Sequence, residues 1–203
     1  MVLFAMTATT KRDAARQRSL LGRDQWIGAA VDALIRGGLS AVAVEPLAVS
    51  LGVTKGSFYW HFENRDALIA ALLEQWELLG TERIIAELDA VADPAARLRA
   101  LLQVSLRDVS HLRAEASLSA AARAGDPLVA PVVERVMRRR LAYTAQLYTA
   151  LGVGRAEAAR MAVVAYGAYL GGVQLAAQGL LGTGERALRS QIATFQTMLM
   201  PPR

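Results

Sequence analysis

Residues 47–62 read Leu-Ala-Val-Ser-Leu-Gly-Val-Thr-Lys-Gly-Ser-Phe-Tyr-Trp-His-Phe. The run predicts two short helices around a tight turn, the second ending in aromatic residues. Ala48 is small, so a second helix can cross close to the first. Gly52 can take the left-handed conformation that ends a helix. Thr54 can cap the next helix through its hydroxyl. Two such helices at a steep angle form a helix-turn-helix, whose second helix enters the DNA major groove.

The second helix is expected from about Lys55 to His61. Lys55, Ser57, Tyr59 and His61 can donate hydrogen bonds to phosphate. Gly56 lets the backbone approach DNA closely, and Trp60 offers a flat apolar face to a thymine methyl. Phe58 and Phe62 are expected to point inward. The competing reading is an aromatic core helix, which would not need Lys55, Ser57 and His61 beside its rings.

These residues carry a resemblance. The segment resembles the DNA-binding domain of the TetR family of bacterial transcriptional regulators. The pattern is Ala48, Gly52 and Thr54, then Tyr59-Trp60-His61-Phe62, then Arg65 and Leu68 opening a long helix. It covers roughly residues 22 to 70. One position departs from it, because Ala43 stands where the family often has a capping Ser or Thr that touches phosphate. Pro46 then falls in the first helical turn, where its missing N–H costs little.

The chain has 203 residues, 54% of them apolar, and no cysteine. Disulfides and thiolate zinc sites are thereby excluded, and a reducing cytoplasm fits. Net charge is +5 and the isoelectric point about 10.1, a balance that favours polyanions without specifying DNA. Lys11, Arg12, Arg16, Arg18 and Arg23 stand against the single acid Asp13. Such an arm either follows a phosphate backbone or serves as a solubilising tail. The first ten residues lack the charged start and the long apolar run of a signal peptide.

Helical periodicity dominates the rest, so the fold expected is all-α. A first helix spans about Arg23 to Arg36, and Gly37-Gly38 ends it. Asn64 caps a long helix reaching about Val91. Further helices are expected at Pro94–Val109, Arg113–Ala124, Pro127–Leu151, Arg155–Leu181 and Glu185–Leu199, about nine in all. The organisation expected is a basic arm (1–21), a three-helix helix-turn-helix domain (22–66) and a larger helical bundle for ligand binding and dimerisation (67–203).

Residues 161–184 contain no charged side chain and are long enough to cross a bilayer. Gln174, Gln178, six glycines and abundant alanine argue against a span, and no basic cluster marks a cytoplasmic flank. The stretch reads better as a subunit interface, where Gly167, Ala168, Gly171 and Gly172 admit another backbone. The resemblance implies that the last two long helices pair with their twins in a two-fold dimer, which adds Leu188, Ile192, Phe195 and Leu199 to the expected interface. Paired recognition helices must also reach successive major grooves, about 34 to 36 Å apart.

No catalytic constellation stands out. His61 and His111 are the only histidines. There is no Glu-x-x-His pair, phosphate loop or Gly-x-Ser-x-Gly elbow. No enzyme activity, cofactor or metal is therefore expected. The Arg138-Arg139-Arg140 run reads as a solvated helix face rather than an anion site. The resemblance implies a cavity in the larger domain, with Trp76, His111, Tyr143, Tyr166 and Tyr169 as candidate lining residues. Such walls suit a mostly apolar small molecule, although Arg107 or Arg113 could recognise an acid. The function expected is a cytoplasmic, ligand-responsive repressor that binds a palindromic operator as a homodimer, with no membrane partner. The alternative is a helical small-molecule-binding or membrane-associated protein whose motif is only structural.

Overall fold

The structure is a computed structural model describing residues 22–105, 109–180 and 185–201. Among these residues it is all helical. The α-helices are α1 (Arg23–Gly37), α2 (Val44–Leu51), α3 (Lys55–Phe58), α4 (Arg65–Glu77), α5 (Arg83–Asp89), α6 (Pro94–Ser105), α7 (Val109–Arg123), α8 (Val129–Ala150), α9 (Arg155–Ala177) and α10 (Glu185–Leu199). A π-helical turn, Leu78–Glu82, joins α4 to α5 without a break, so the rods number nine. No described helix is long and apolar enough to cross a membrane.

Local chemistry fixes the helix ends. Gln25 reaches back from the first turn of α1 and accepts the Gly22 N–H at 2.6 Å. Asn64 caps α4, its Oδ1 accepting the Ala67 N–H at 2.9 Å. Both carboxylate oxygens of Asp93 accept first-turn N–H groups of α6, those of Ala95 and Ala96. Before α8 a single oxygen, Asp126 Oδ1, accepts the N–H groups of both Leu128 and Val129.

The chain forms two compact units, dividing between Leu72 and Leu73. The division falls inside α4, a little beyond the 66/67 boundary expected from sequence, because Leu68, Ile69 and Leu72 are buried in the first half of that helix. In the first unit α1 packs on α2, and α2 on α3. Trp26, Ile27, Leu34, Leu47, Phe58 and Phe62 are buried. In the second unit α8 and α9 lie side by side, with α7 packed on both and α6 on α8. One apolar cluster joins Leu98, Leu102, Tyr143, Leu147, Tyr148 and Ala158. Another gathers around Leu112, Tyr166, Tyr169 and Val173.

Candidate nucleic-acid interface and effector cavity

Gly52 ends α2 in the left-handed conformation, φ 67° and ψ 29°. The Val53 N–H returns to the Ala48 carbonyl at 3.0 Å, closing the turn between the two motif helices. Ala43 takes the N-cap of α2 without a side-chain bond, as its methyl requires. Thr54 takes the N-cap of α3, but its hydroxyl makes no cap hydrogen bond. Instead the Thr54 carbonyl accepts the Ser57 N–H at 3.0 Å. The helix is shorter than expected, ending at Phe58, with Tyr59–His61 in a turn. That turn is held by His61 and Phe62 N–H groups, which both donate to the Phe58 carbonyl.

Two rings anchor the segment. Phe58 is fully buried and meets Trp26 edge-on at 5.2 Å, with Phe62 stacked behind it at 5.5 Å. Burying a ring of this size contributes about 1.5–3 kcal/mol. With Phe58 and Phe62 held inside, the intervening residues turn outward. Trp60 is 87% exposed and Tyr59 55%. Lys55, Gly56 and Thr54 are exposed, and Ser57 and His61 half-buried. Lys55 Nζ donates to Glu45 Oε1 of α2 at 2.7 Å. Arg65, which the sequence also offers as a phosphate contact, makes two bonds within its own unit. Its Nε donates to the Val42 carbonyl at 2.6 Å and its Nη2 to that of Leu39 at 2.9 Å. It therefore ties α4 to the end of the 3₁₀ turn Leu39–Ala41. Arg12, Arg16 and Arg18 lie outside the described residues.

The second unit holds a cavity of about 430 Å³. His111, Tyr143, Tyr166 and Tyr169 line it, as do Gly80, Thr81, Ile84, Leu101, Leu102, Arg140 and Phe195. Trp76 is not among the lining residues; its ring lies 5.3 Å from the Arg140 guanidinium carbon. Arg140 corrects the reading of the arginine run. Arg138 is exposed, whereas the Arg140 side chain is only 13% exposed and bonds Glu115 Oε1 at 2.8 Å, Thr81 Oγ1 at 2.9 Å and the Gly80 carbonyl at 3.1 Å. Burial disfavours its charge, but Glu115 and the nearby Tyr169 and Tyr166 oxygens more than offset this and hold its pKa above the ordinary arginine value. Burial pushes the Tyr166 hydroxyl up to about 12.

Similarity to known proteins is concentrated in the first unit. A model of the family described as bacterial regulatory proteins, tetR family, matches residues 27–72, the span of the helix-turn-helix and its flanking helices. Residues 27–72 belong to the TetR family. It is 36% identical over 69 residues to the HTH-type transcriptional regulator TtgR of Pseudomonas putida, which is 34% of this chain and 30% of that protein. The match thus spans under a third of that relative's length. The fold extends further than the sequence likeness. A transcriptional regulator from a Rhodococcus species superposes with a TM-score of 0.70 at 21% identity, covering 88% of this chain and 96% of that one. Regulatory protein TetR from Rhodobacter sphaeroides gives 0.70 at 24% identity, covering 87% and 98%.

In the second unit the expected subunit interface divides in two. Gly167 and Gly171 are exposed, with no atom of the described residues packed within 4 Å of where a Cβ would stand. Val163, Val164 and Leu175 extend the same exposed face. Gly172 is buried inside the subunit and Ala168 packs against the core. The α10 stripe is likewise turned inward. Leu199 is buried, and Leu188, Ile192 and Phe195 pack on the apolar clusters of their own unit. The outer side of α10 carries Ala193, Thr194, Thr197 and Met198 instead.

Proposed function

We propose that this chain is a ligand-responsive transcriptional repressor. As a homodimer it grips a roughly palindromic operator, and a small, mostly apolar molecule in the cavity releases it. In this reading residues 1–21 are a basic arm, 22–66 the DNA-reading domain and 67–203 the part that binds effector and pairs subunits. The observation that carries the reading is the exposed Tyr59-Trp60 pair mounted between buried Phe58 and Phe62. At 55% and 87% exposure these polar-tipped rings leave most of their surface to solvent, although Tyr59 meets Phe58 edge-on at 5.2 Å. On DNA they meet sugar, phosphate and thymine methyl groups, with Lys55 and Thr54 beside them. The exposed face of Val163, Val164, Gly167 and Gly171 supports pairing through α9.

The test is binding of the purified protein to the DNA upstream of its own gene, followed by fluorescence anisotropy across a salt series. Saturable binding that exceeds scrambled DNA and weakens steeply with salt is expected. Tyr59→Ala and Trp60→Ala are each expected to weaken it by about 1–3 kcal/mol with the melting temperature retained. Both variants binding like the parent would remove Lys55–His61 from the recognition role.

A further inference from the structure

The cavity has a polar end and an apolar body, and its polar end is incomplete. Arg140 enters it with its charge already matched by Glu115, which is itself only 2% exposed. The guanidinium spends one N–H each on Glu115, Thr81 and Gly80, which leaves a further N–H on both Nη atoms. Beside it stands Tyr166, 8% exposed, whose hydroxyl oxygen lies close to Arg140 but makes no hydrogen bond of ordinary geometry among the described residues. Both residues line the cavity. A buried hydroxyl without a partner is unfavourable, and a ligand atom that satisfies it is selected accordingly.

Arg140 only donates and the Tyr166 hydroxyl can donate as well as accept, so an acceptor atom serves both; Glu115 Oε2, also buried without a partner among the described residues, does not line the cavity. The local charge decides which kind. A carboxylate would be the second anion facing one buried guanidinium, and its desolvation would have little to offset it. A neutral oxygen avoids that cost. Arg83 and Glu87, which also line the cavity, are paired with each other. The remaining walls are Ile84, Leu101, Leu102 and Phe195 with the Tyr143 ring, which suit an apolar, ring-bearing body.

Resting on the effector reading above, we propose that the cavity takes a neutral, largely apolar molecule whose carbonyl oxygen accepts hydrogen bonds from Tyr166 Oη and Arg140. Ketones, lactones, quinones and amides have this chemistry; organic acids and plain hydrocarbons do not. Because burial holds the Tyr166 hydroxyl far above neutral pH, it stays protonated and available as the donor.

Three matched probes test the assignment on the full chain: 2-acetylnaphthalene, 2-ethylnaphthalene and 2-naphthoate, titrated by intrinsic fluorescence. The ketone is expected to bind about tenfold or more tightly than the other two, the factor one satisfied buried hydrogen bond confers. Tyr166→Phe should remove most of the ketone's advantage and leave ethylnaphthalene unchanged. The comparison among probes stands even if that variant folds poorly. Naphthoate binding as well as the ketone would make this an acid site. Equal binding of ethylnaphthalene would mean that the polar end recognises nothing. Either result overturns the carbonyl assignment while leaving the effector cavity in place. Binding of none of the three would overturn the cavity reading together with it.

Discussion

Lys55 faces two claims on its charge. Glu45 accepts its hydrogen bond across the motif at 2.7 Å, and that bond, with the carboxylate's charge, holds the ammonium above its ordinary pKa. Both side chains are largely exposed, so the pair adds little to folding. Its consequence is for DNA, because the lysine must share or leave this partner to reach a phosphate, and Glu45 brings a negative charge to the same place. Glu45→Gln is therefore expected to tighten DNA binding several-fold at low salt and to steepen the salt dependence by about one counterion, with little change in melting temperature. Anisotropy titrations at four or five salt concentrations would read both. An affinity and slope equal to the parent's would mean that Lys55 does not approach the backbone. Glu45 also shows what a linear reading passes over: it is ten residues from Lys55, and only the Gly52 turn brings them together.

The π turn between α4 and α5 is the element that shapes the cavity. Its Gly80 carbonyl and Thr81 hydroxyl both accept from Arg140. A Cβ on Gly80 would stand 2.9 Å from His111 Cε1 and 3.4 Å from Arg140 Nη2. Arg140 stands at ordinary contact distance, but the His111 ring must shift, so Gly80→Ala is expected to destabilise the second unit by about 1 kcal/mol. It should also weaken effector binding while leaving the first unit's hydrogen-exchange protection unchanged; a stability equal to the parent's would show that His111 gives way freely. The tyrosines add a pH signature. Burial, aided by Asp89 at Tyr143, raises the Tyr143 and Tyr166 hydroxyls from an ordinary 10 to about 12. In that window the unfolded chain releases these protons and the folded chain keeps them, so their stabilisation is complete below pH 10 and lost as pH rises through 12. A urea midpoint that holds from pH 8 to 9.5 and falls above it is expected, and a flat profile to pH 11.5 would contradict it. Much of this architecture is legible in sequence. Asn64 and Gly52 act through their nearest neighbours, so local chemistry reveals them. The α10 stripe is equally plain, yet periodicity says only that a face is covered, not by what, and here its own subunit covers it. Arg140 was hidden inside a triplet of arginines, although it falls in register with Val133, Val136 and Leu147. Glu115 sits in register with Leu112 and Leu118 on the neighbouring helix. Two opposite charges inside facing apolar stripes are the available signal for this pair. The π turn at Leu78–Glu82 has no comparable local mark.

At the scale of the whole molecule, the proposal depends on a second copy, because one short recognition segment cannot span two half-sites. The exposed face of α9 offers the place. Small residues at Gly167 and Gly171, flanked by Val163, Val164 and Leu175, leave a shallow apolar strip open on the isolated chain. None of the described residues stands within 4 Å of either missing Cβ, and replacing a mid-helix glycine raises helix propensity by up to about 1 kcal/mol. Gly171→Arg should therefore leave the subunit as stable as before or slightly more so, while placing a charged side chain where a partner's backbone must come. The expected result is a monomer by light scattering at concentrations where the parent is a dimer, with operator affinity falling much further than affinity for a single half-site. Gly171→Ala, which adds only a methyl, should weaken the dimer by a smaller factor in the same direction. The glycine argument makes the outcome decisive, since a loss of pairing cannot be put down to damage inside the subunit when its melting temperature is retained. A Gly171→Arg protein that remains dimeric over the parent's concentration range would move the pairing surface off this face of α9, and the outer side of α10, with Met198 77% exposed, would be the next surface to charge.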